Sequence, residues 1–368
     1  MGSMGKIVTG LSDSFYSGKR VLVTGDTGFK GSWLTIWLLS LNADIYGYAL
    51  PPKQPCENFI KTNLEKRYNH TNGDIRDKRH LAEYLNSVKP EIIFHLAAQP
   101  LVIEAYKDPV TTFETNIMGT VNLLEAIRKV PSVKAVVIIT TDKVYKNNNV
   151  SSGYIETDEL GGDEAYSASK ACSEMVVNSY AQSYFKEDSV NIATARAGNV
   201  IGGGDWAENR IVPDIFRFIE MGKDIIIRNP AYIRPWQFVL EPLLGYLMLG
   251  EKLYQGTEEF QGAWNFGPDV TNQCTVLELT EKFIKKIGKG NIIVENQFAS
   301  FSEAKILRLD NSKAKEQLGW YPLLNINETI DYTIEGYAQE TTEKDLFQYR
   351  VDQINKYMHA VSLLDIHG

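Results

Sequence analysis

The sequence predicts an α/β protein: a Rossmann-type, doubly wound parallel sheet followed by a second, smaller mixed α/β domain. Three observations carry that expectation. Short apolar runs alternate with helical stretches through the first two hundred residues. The first such run, Val21-Leu22-Val23-Thr24, leads directly into the glycine turn Gly25-Asp26-Thr27-Gly28-Phe29-Lys30-Gly31 and the apolar segment 32–39. Past Asn199 the alternation becomes irregular, with glycine turns between short strands and short helices. A glycine turn between strand and helix permits close approach of a dinucleotide diphosphate to a helix N-terminus, whose N–H groups and dipole favour an anion.

The bulk numbers agree. A chain of 368 residues with 43% hydrophobic and 23% charged residues has the composition of a globular protein large enough for two domains. A net charge of −8 argues against general binding to nucleic acid or anionic membrane, so an anionic substrate requires a local basic pocket. Cys56, Cys172 and Cys274 are odd in number and far apart, which indicates neither a disulfide framework nor a metal clip and suits a reducing cytoplasm. The sequence contains no signal-peptide pattern and no apolar run of spanning length. Met1-Gly2-Ser3-Met4 holds two start codons' worth of Met and is set aside.

The elements follow in order. The run 44–50 reads as the second strand, stopped by Pro51-Pro52. Its end, Ala49-Leu50, lacks the acidic residue that holds an adenosine ribose in NAD enzymes, and Lys53 just beyond suits a 2′-phosphate, so NAD and NADP both stay open. Residues 72–77 read as a strand end turning into a helix, with Asp74 as its cap. The run 91–99 is a strand ending in the small residues Ala97 and Ala98, which leave room for a cofactor. His95, inside this apolar run, reads as a satisfied core histidine. A helix over 109–129 carries Asn116.

The fifth strand, 135–140, delivers Thr141-Asp142-Lys143 to the same sheet edge. Tyr166-Ser167-Ala168-Ser169-Lys170 then opens a long helix, and its four-residue spacing puts phenol and amine on one face. An ammonium there favours phenolate and lowers the Tyr pKa from roughly 10 toward neutrality. The sixth strand spans 191–200, and 202–206 reads as a flexible loop. Arg228, Arg234 and Arg308, with Trp236 nearby, suit a diphosphate and a stacked base. The segment 237–254 rejoins the first domain, and the apolar spacing of 346–358 predicts a docked C-terminal helix. The expected division is therefore a dinucleotide domain over 14–198, rejoined by about 236–262; a smaller domain over 199–235 and 263–345; and a terminal helix over 346–368.

The ordered set Gly25-x-x-Gly28-x-x-Gly31, Leu96-Ala97-Ala98, Thr140-Thr141-Asp142, Tyr166-x-x-x-Lys170 and Arg196-x-x-Asn199 resembles the extended short-chain dehydrogenase/reductase superfamily acting on nucleotide sugars. Thr141-Asp142 resembles the sugar 4,6-dehydratases, whose usual third residue is Glu. Lys143 at that position, with Gly28-Phe29-Lys30-Gly31-Ser32-Trp33 and Leu50-Pro51-Pro52, resembles their CDP-hexose branch. The resemblance implies a lyase that removes water from CDP-D-glucose through transient C4 oxidation, in deoxysugar and O-antigen biosynthesis. It implies a tightly held NAD regenerated in each turnover, no metal, and a homodimer or dimer of dimers built on helices 109–129 and 165–186.

By the same resemblance Thr141, Asp142, Lys143, Tyr166 and Lys170 are catalytic. Thr141 binds the sugar near C4, protonated Asp142 helps the C6 hydroxyl leave, and Lys143 is either the C5 base or a cation steadying the enolate. The cofactor would be held by Gly25, Gly28, Phe29, Lys30, Gly31, Asp74, Ile75, Leu96, Ala97, Ala98, Gln99, Asn116, Thr140, Tyr166, Lys170 and Arg196, with Asp74 and Ile75 beside the adenine. Substrate would meet Asn199, Arg210, Ile211, Arg228, Arg234, Trp236 and Arg308. A 4-epimerase or ketoreductase would share Thr141, Tyr166 and Lys170 but needs no acid and base paired beside Thr141. A non-catalytic dinucleotide sensor is the reading of another class, and intact Tyr166 and Lys170 weigh against it.

Overall fold

The computed structural model describes residues 11–12, 14–148, 150, 152–186, 190–269, 272–295, 307–342 and 344–367; Met1-Gly2-Ser3-Met4 lies outside them. The strands are β1 (Arg20–Thr24), β2 (Asp44–Ala49), β3 (Asn69–Asn72), β4 (Ile92–His95), β5 (Ala135–Ile139), β6 (Asn191–Ala197), β7 (Val200–Ile201), β8 (Ile225–Ile227), β9 (Ile233–Pro235), β10 (Gln237–Phe238), β11 (Gly262–Phe266), β12 (Gln273–Thr275) and β13 (Ile292–Val294). Nine principal helices accompany them among the described residues: α1 (Phe29–Ser40), α2 (Lys78–Val88), α3 (Gly119–Ile127), α4 (Ala165–Tyr180), α5 (Ile211–Glu220), α6 (Leu240–Tyr254), α7 (Val276–Ile287), α8 (Ile326–Thr342) and α9 (Leu346–His367).

Seven strands form one parallel sheet in the order β11-β6-β5-β4-β1-β2-β3. The order reverses between β1 and β4, so the crevice for a ligand opens at the carboxyl ends of these two strands. Alternate residues of β1 feed opposite faces. Val21 and Val23 pack with α1, α6 and α9, whereas Leu22 packs with α2, α3 and α4. Strands apolar on both faces are what a doubly covered parallel sheet demands, and β4 and β5 are buried throughout.

β11 extends this sheet as its seventh strand, so the chain returns to the first domain as far as Phe266. The remaining strands make two-stranded pairs: β7 with β10, β9 with β12 and β8 with β13. Ile215, Trp236, Leu279 and Phe283 lie in a separate core there, formed with α5, α7 and α8. The terminal helix α9 docks on α1 as the apolar spacing predicts, with Tyr357 edge-on to Trp37 at 6.2 Å. Helix 109–127 continues through a π turn at Glu114–Met118, which carries Asn116.

One loop departs from expectation. Residues 201–205 are buried rather than mobile. The Gly203 carbonyl accepts the Trp33 indole N–H at 2.9 Å, Tyr337 donates to the Asp205 carbonyl, and the Trp206 indole donates to Glu340 at 2.7 Å. Gly203 is needed there because α8 and α9 approach too closely for any Cβ: one would stand 2.6 Å from the Gly336 carbonyl carbon and 2.8 Å from Arg350 Nη1.

Candidate active site

The glycine turn is set by contacts at its own ends. Gly25 has φ +74°, and a Cβ there would stand 2.6 Å from the Ala97 nitrogen; one on Gly31 would meet the Gly25 oxygen at 2.1 Å. α1 begins at Gly28 with no side-chain cap and no acidic residue in its first turn, although twelve residues of aligned peptide dipoles end there. The carboxyl end of β4 beside it is only half-buried at Leu96, Ala97, Ala98 and Gln99. An uncapped N-terminus next to small residues fits the diphosphate of a dinucleotide.

Lys30 does not follow this diphosphate line. Its ammonium lies 5.8 Å from the Tyr246 ring and within electrostatic reach of Lys170, Arg210 and Asp142. Burial and the two neighbouring cations push its pKa down to about 7. Tyr246, missed in the sequence because it is one tyrosine in an apolar helix, has a fully buried hydroxyl with no hydrogen-bond partner among the described residues.

Strand β5 and helix α4 bring the reactive groups together. Thr141 caps a single 3₁₀ turn, Asp142–Val144, by accepting from the Lys143 N–H. The Thr141 hydroxyl donates to Asp142 Oδ1 at 3.0 Å and is hydrogen-bonded to Tyr166. All three side chains are buried. Asp142 Oδ2 faces Gly198, where a Cβ would stand 2.6 Å away, while Lys143 is half-buried. Glu164 fixes the start of α4, accepting from the N–H groups of Tyr166 (2.7 Å) and Ser167 (2.9 Å). Lys170 donates to the Ile139 carbonyl at 3.1 Å.

Asn116 braces this corner. Its amide spans the backbone N–H and carbonyl of Gln99 (2.8 and 3.1 Å) and reaches Ser169 Oγ at 2.8 Å. The Gln99 side chain is spent on Thr112 and the Leu101 N–H. His95 is a core histidine: Thr24 lies 2.7 Å from Nδ1, and burial holds its pKa at about 3.

Several expectations are corrected. The Tyr166 phenol is not lowered toward neutrality; burial pushes it up to about 12, against the opposing hydrogen bond from Thr141. Lys170, which was to lower it, is itself pushed down to about 8 by burial, with Glu174 opposing. Arg196 does not face the cofactor crevice. It forms a buried pair with Glu174 through Nε and Nη2, both at 3.0 Å, and its Nη1 donates to Tyr145 at 2.7 Å. Thr140 donates to the same Glu174 at 2.5 Å, so its side chain is also turned into the core.

Asp74 is not the helix cap: Asp77 accepts from the His80 N–H, and Asp74 binds the Arg76 guanidinium through both oxygens. Ile75 is core, packed on Gly119. Trp236 lies in the second core with its indole N–H on the Cys274 carbonyl at 3.3 Å, leaving no face for a base.

The substrate-side arginines differ in their surroundings. Arg210, at the start of α5 beside Ile211, pairs with buried Asp205 at 2.9 Å and is the one with electrostatic reach to Tyr166. Arg228 is exposed, Arg234 is buried with its guanidinium 5.0 Å over the Tyr232 ring, and Arg308 donates to Gln273 at 2.5 Å. Asn199, half-buried, uses its carbonyl to accept the Gln237 N–H at 3.1 Å. Among the described residues no cluster of His, Cys, Asp and Glu is built to hold a metal ion, and no helix is long and apolar enough to cross a membrane.

A Tyr–Thr–Asp chain with a lysine one turn along, at the switch point of a Rossmann sheet, defines a dinucleotide-dependent enzyme of the short-chain dehydrogenase/reductase type. Residues 22–333 match the model of the family described as GDP-mannose 4,6 dehydratase. The chain is 42% identical over 357 residues to a CDP-glucose 4,6-dehydratase of Salmonella typhimurium, covering 96% of this chain and 99% of that one. Its fold is shared with a dTDP-glucose 4,6-dehydratase from Streptomyces venezuelae, solved with NAD (TM-score 0.74, 23% identity, 87% and 97% covered). A UDP-glucose 4-epimerase from Thermotoga maritima is similar in fold too (TM-score 0.75, 24% identity, 88% and 100% covered). The chain belongs to the 4,6-dehydratase family, and its likeness to the CDP-glucose enzyme runs through nearly the whole of both chains.

Proposed function

We propose that the protein converts CDP-D-glucose to CDP-4-keto-6-deoxy-D-glucose and water. The observation that carries this reading is the full-length similarity to a CDP-glucose 4,6-dehydratase together with a buried Asp142 hydrogen-bonded to Thr141 beside Tyr166. An epimerase or ketoreductase needs only the threonine, tyrosine and lysine; the carboxyl group suits an elimination.

NAD, when bound, accepts the hydrogen of C4 with its electron pair and returns it to C6. The chain's own groups do the rest. The uncapped start of α1 at Gly28 and the half-buried end of β4 hold the dinucleotide. Tyr166 takes the C4 hydroxyl proton, and Lys170 orients the nicotinamide ribose. The C4 ketone acidifies C5–H, and Asp142 gives its proton to the departing C6 oxygen. Lys143 removes the C5 proton or, as a cation, steadies the enolate. Arg210 and the exposed Arg228 bind the diphosphate.

We further propose the domain division set out above, with β11 added to the dinucleotide domain, a cytoplasmic location, and a homodimer. Val110, Phe113, Met118, Met175 and Tyr184 are exposed apolar side chains on the helices at 109–127 and in the segment 165–185, which supports pairing there.

Incubation with CDP-, dTDP-, UDP- and GDP-glucose, without added reductant, tests the function. A ketosugar should accumulate from the CDP sugar with no net consumption of NAD. An alcohol product would return the reading to an epimerase, and no product from any of the four would end it.

A further inference from the structure

Helix α9 is docked by an apolar stripe, in which Ile354, Tyr357 and Val361 enter the main core. At the same helical spacing the stripe begins with a charge, Arg350, which is fully buried. Its guanidinium lies 4.9 Å from the Trp33 ring of α1 and packs against two glycines: a Cβ on Gly336 would stand 3.0 Å from Nη1, and one on Gly203 2.8 Å from it. The hydrogen bonds run three ways. Nε donates to Asn58 Oδ1 (3.2 Å), Nη1 to the Gly336 carbonyl (3.1 Å) and Gln353 (3.2 Å), and Nη2 to Glu340 (2.7 Å). A buried ion pair adds little to stability beyond what apolar side chains of the same volume supply. What the planar fork adds is direction, because it fixes several partners at once.

Two of these bonds lead to nucleotide-binding groups. Along the first, Asn58 Nδ2 donates to Ser32 Oγ at 3.0 Å, and Ser32 donates to the Phe29 carbonyl at 2.9 Å, in the turn of α1 that holds the dinucleotide. Along the second, Glu340 accepts the Trp206 indole N–H at 2.7 Å, and the Trp206 carbonyl accepts Arg217 of α5 at 2.8 Å. Asp205, next to Trp206, pairs with Arg210 at 2.9 Å, and its carbonyl accepts from Tyr337. α1 belongs to the dinucleotide domain and α5 to the smaller one, so Arg350 ties the two together. Glu340 and Arg350 both lie beyond residue 333, where the match to the family model ends.

We infer that Arg350 is a positioning residue: through Asn58 it holds the dinucleotide end of α1, and through Glu340 and residues 205–206 it holds the diphosphate cation Arg210. One guanidinium thereby sets where cofactor and nucleotide sugar lie relative to each other. This rests on the dehydratase reading, in which hydride passes from the sugar to the nicotinamide and back. A transfer of that kind tolerates little error in spacing, since a misplacement of about 1 Å costs about a hundredfold in rate. The terminal helix is thus part of the frame of the site, although it contributes no group to the chemistry.

The test cuts one branch at a time in the NAD-loaded enzyme. It reads two quantities that a loss of stability alone does not move: the KM for CDP-D-glucose, and the rate at which bound NAD exchanges with labelled NAD. Trp206→Phe removes the indole donor of the second branch. It should raise KM about tenfold, the worth of one hydrogen bond to a charged group, and leave NAD exchange at the wild-type rate. Asn58→Ala cuts the first branch and should speed NAD exchange about tenfold, with KM at saturating NAD unchanged. Arg350→Lys keeps a cation for Glu340 but loses the fork that reaches Asn58, so it should behave as Asn58→Ala does. Arg350→Met combined with Glu340→Met removes the pair without leaving a buried charge and should move both quantities. If that protein does not fold, the single variants carry the test. Variants that melt earlier yet keep the wild-type KM and exchange rate would overturn the inference, as would single variants that each move both quantities together. Wild-type protein that exchanges NAD but forms no ketosugar would instead remove the dehydratase reading, and the Asn58 branch would still be decided by exchange.

Discussion

Helix α4 carries three ionisable side chains at four-residue spacing, Tyr166, Lys170 and Glu174, and treats the two ends of that stripe in opposite ways. Glu174 is saturated: Thr140 (2.5 Å), Thr194 (2.6 Å) and two Arg196 nitrogens (3.0 Å each) occupy both of its oxygens. Tyr166 and Lys170 are equally buried, but Tyr166 is bonded to one hydroxyl and Lys170 donates to one carbonyl. Their pKa values are displaced in opposite directions, up to about 12 and down to about 8, both chiefly by burial. The saturated cluster binds β5, β6 and α4 into one body. The under-bonded one keeps hydrogen-bonding capacity for a substrate and stores the desolvation that makes its groups reactive.

The largest effects should come from the reactive end. Tyr166→Phe should lower kcat by about 10²–10⁴-fold while leaving the urea midpoint of unfolding unchanged, because only a hydroxyl with one partner is lost. Lys143→Ala should let the cofactor become reduced on mixing with substrate while blocking water loss; full turnover by that variant would remove both roles assigned to Lys143. The saturated end should respond in the reverse sense. Arg196→Met leaves Glu174 buried without its cation and should destabilise by about 3–5 kcal/mol, read as a shift in the denaturation midpoint, with the KM of the surviving protein little changed. A variant at Arg196 that alters cofactor affinity without loss of stability would erase the contrast.

What was legible in the sequence divides along a related line. Periodicity and punctuation suffice for β1, β2, β4, β5 and β6 and for α4, because a covered parallel strand must be apolar on both faces and must end where a ligand crevice begins, whereas β3, Asn-His-Thr-Asn at the sheet edge, has no such pattern. That rule also places Thr141 and Asp142 correctly, since residues just past β5 have nowhere to go but the switch-point side. Direction of a side chain is another matter. Arg196 and Thr140 have the right sequence positions for the crevice and face the core, because their environment depends on Glu174, which helix α4 lays against the sheet. Lys30 lies in a diphosphate-binding turn, yet its long stem carries the ammonium to Asp142 and Lys170. The loop 202–206 reads as mobile from its glycines, whereas α8 and α9, more than a hundred residues distant, require Gly203 for close packing.

A second buried carboxyl sharpens the comparison by having neither a cation nor a reaction. Glu241, on α6, accepts from the N–H groups of Leu323 and Leu324, each at 2.9 Å, and burial pushes its pKa from 4.5 up to about 8. Between those two values the folded protein holds a proton that the unfolded chain has released. Stability from this group is therefore complete below about pH 4.5 and declines as pH rises toward 8, at up to about 1.4 kcal/mol per pH unit. Glu241→Gln, which keeps an acceptor oxygen and cannot ionise, should flatten that decline in thermal unfolding measured from pH 5 to 8. An unchanged slope would mean that the two N–H groups hold Glu241 ionised.

The smallest effect is expected where the second domain meets solvent, and it distinguishes a binding arginine from a structural one. Arg228 is exposed and donates to Asn209 at 3.5 Å. Arg234, six residues on, is buried against Tyr232 and donates to the Ile233 carbonyl at 3.0 Å. Arg228→Ala should leave stability within about 0.5 kcal/mol and raise the KM for the nucleotide sugar by an amount worth about 0.2–1 kcal/mol. Because an exposed charge acting on a diphosphate is screened by salt, the rise should shrink as ionic strength increases. Arg234→Met should instead lower stability by about 1–3 kcal/mol, since a polar contact under an aromatic ring is lost from a closed site, and its KM should carry no salt dependence of its own. A salt-independent KM effect at Arg228 would move the diphosphate away from the second domain's surface and leave Arg210, beside Tyr166, as the cation that holds it.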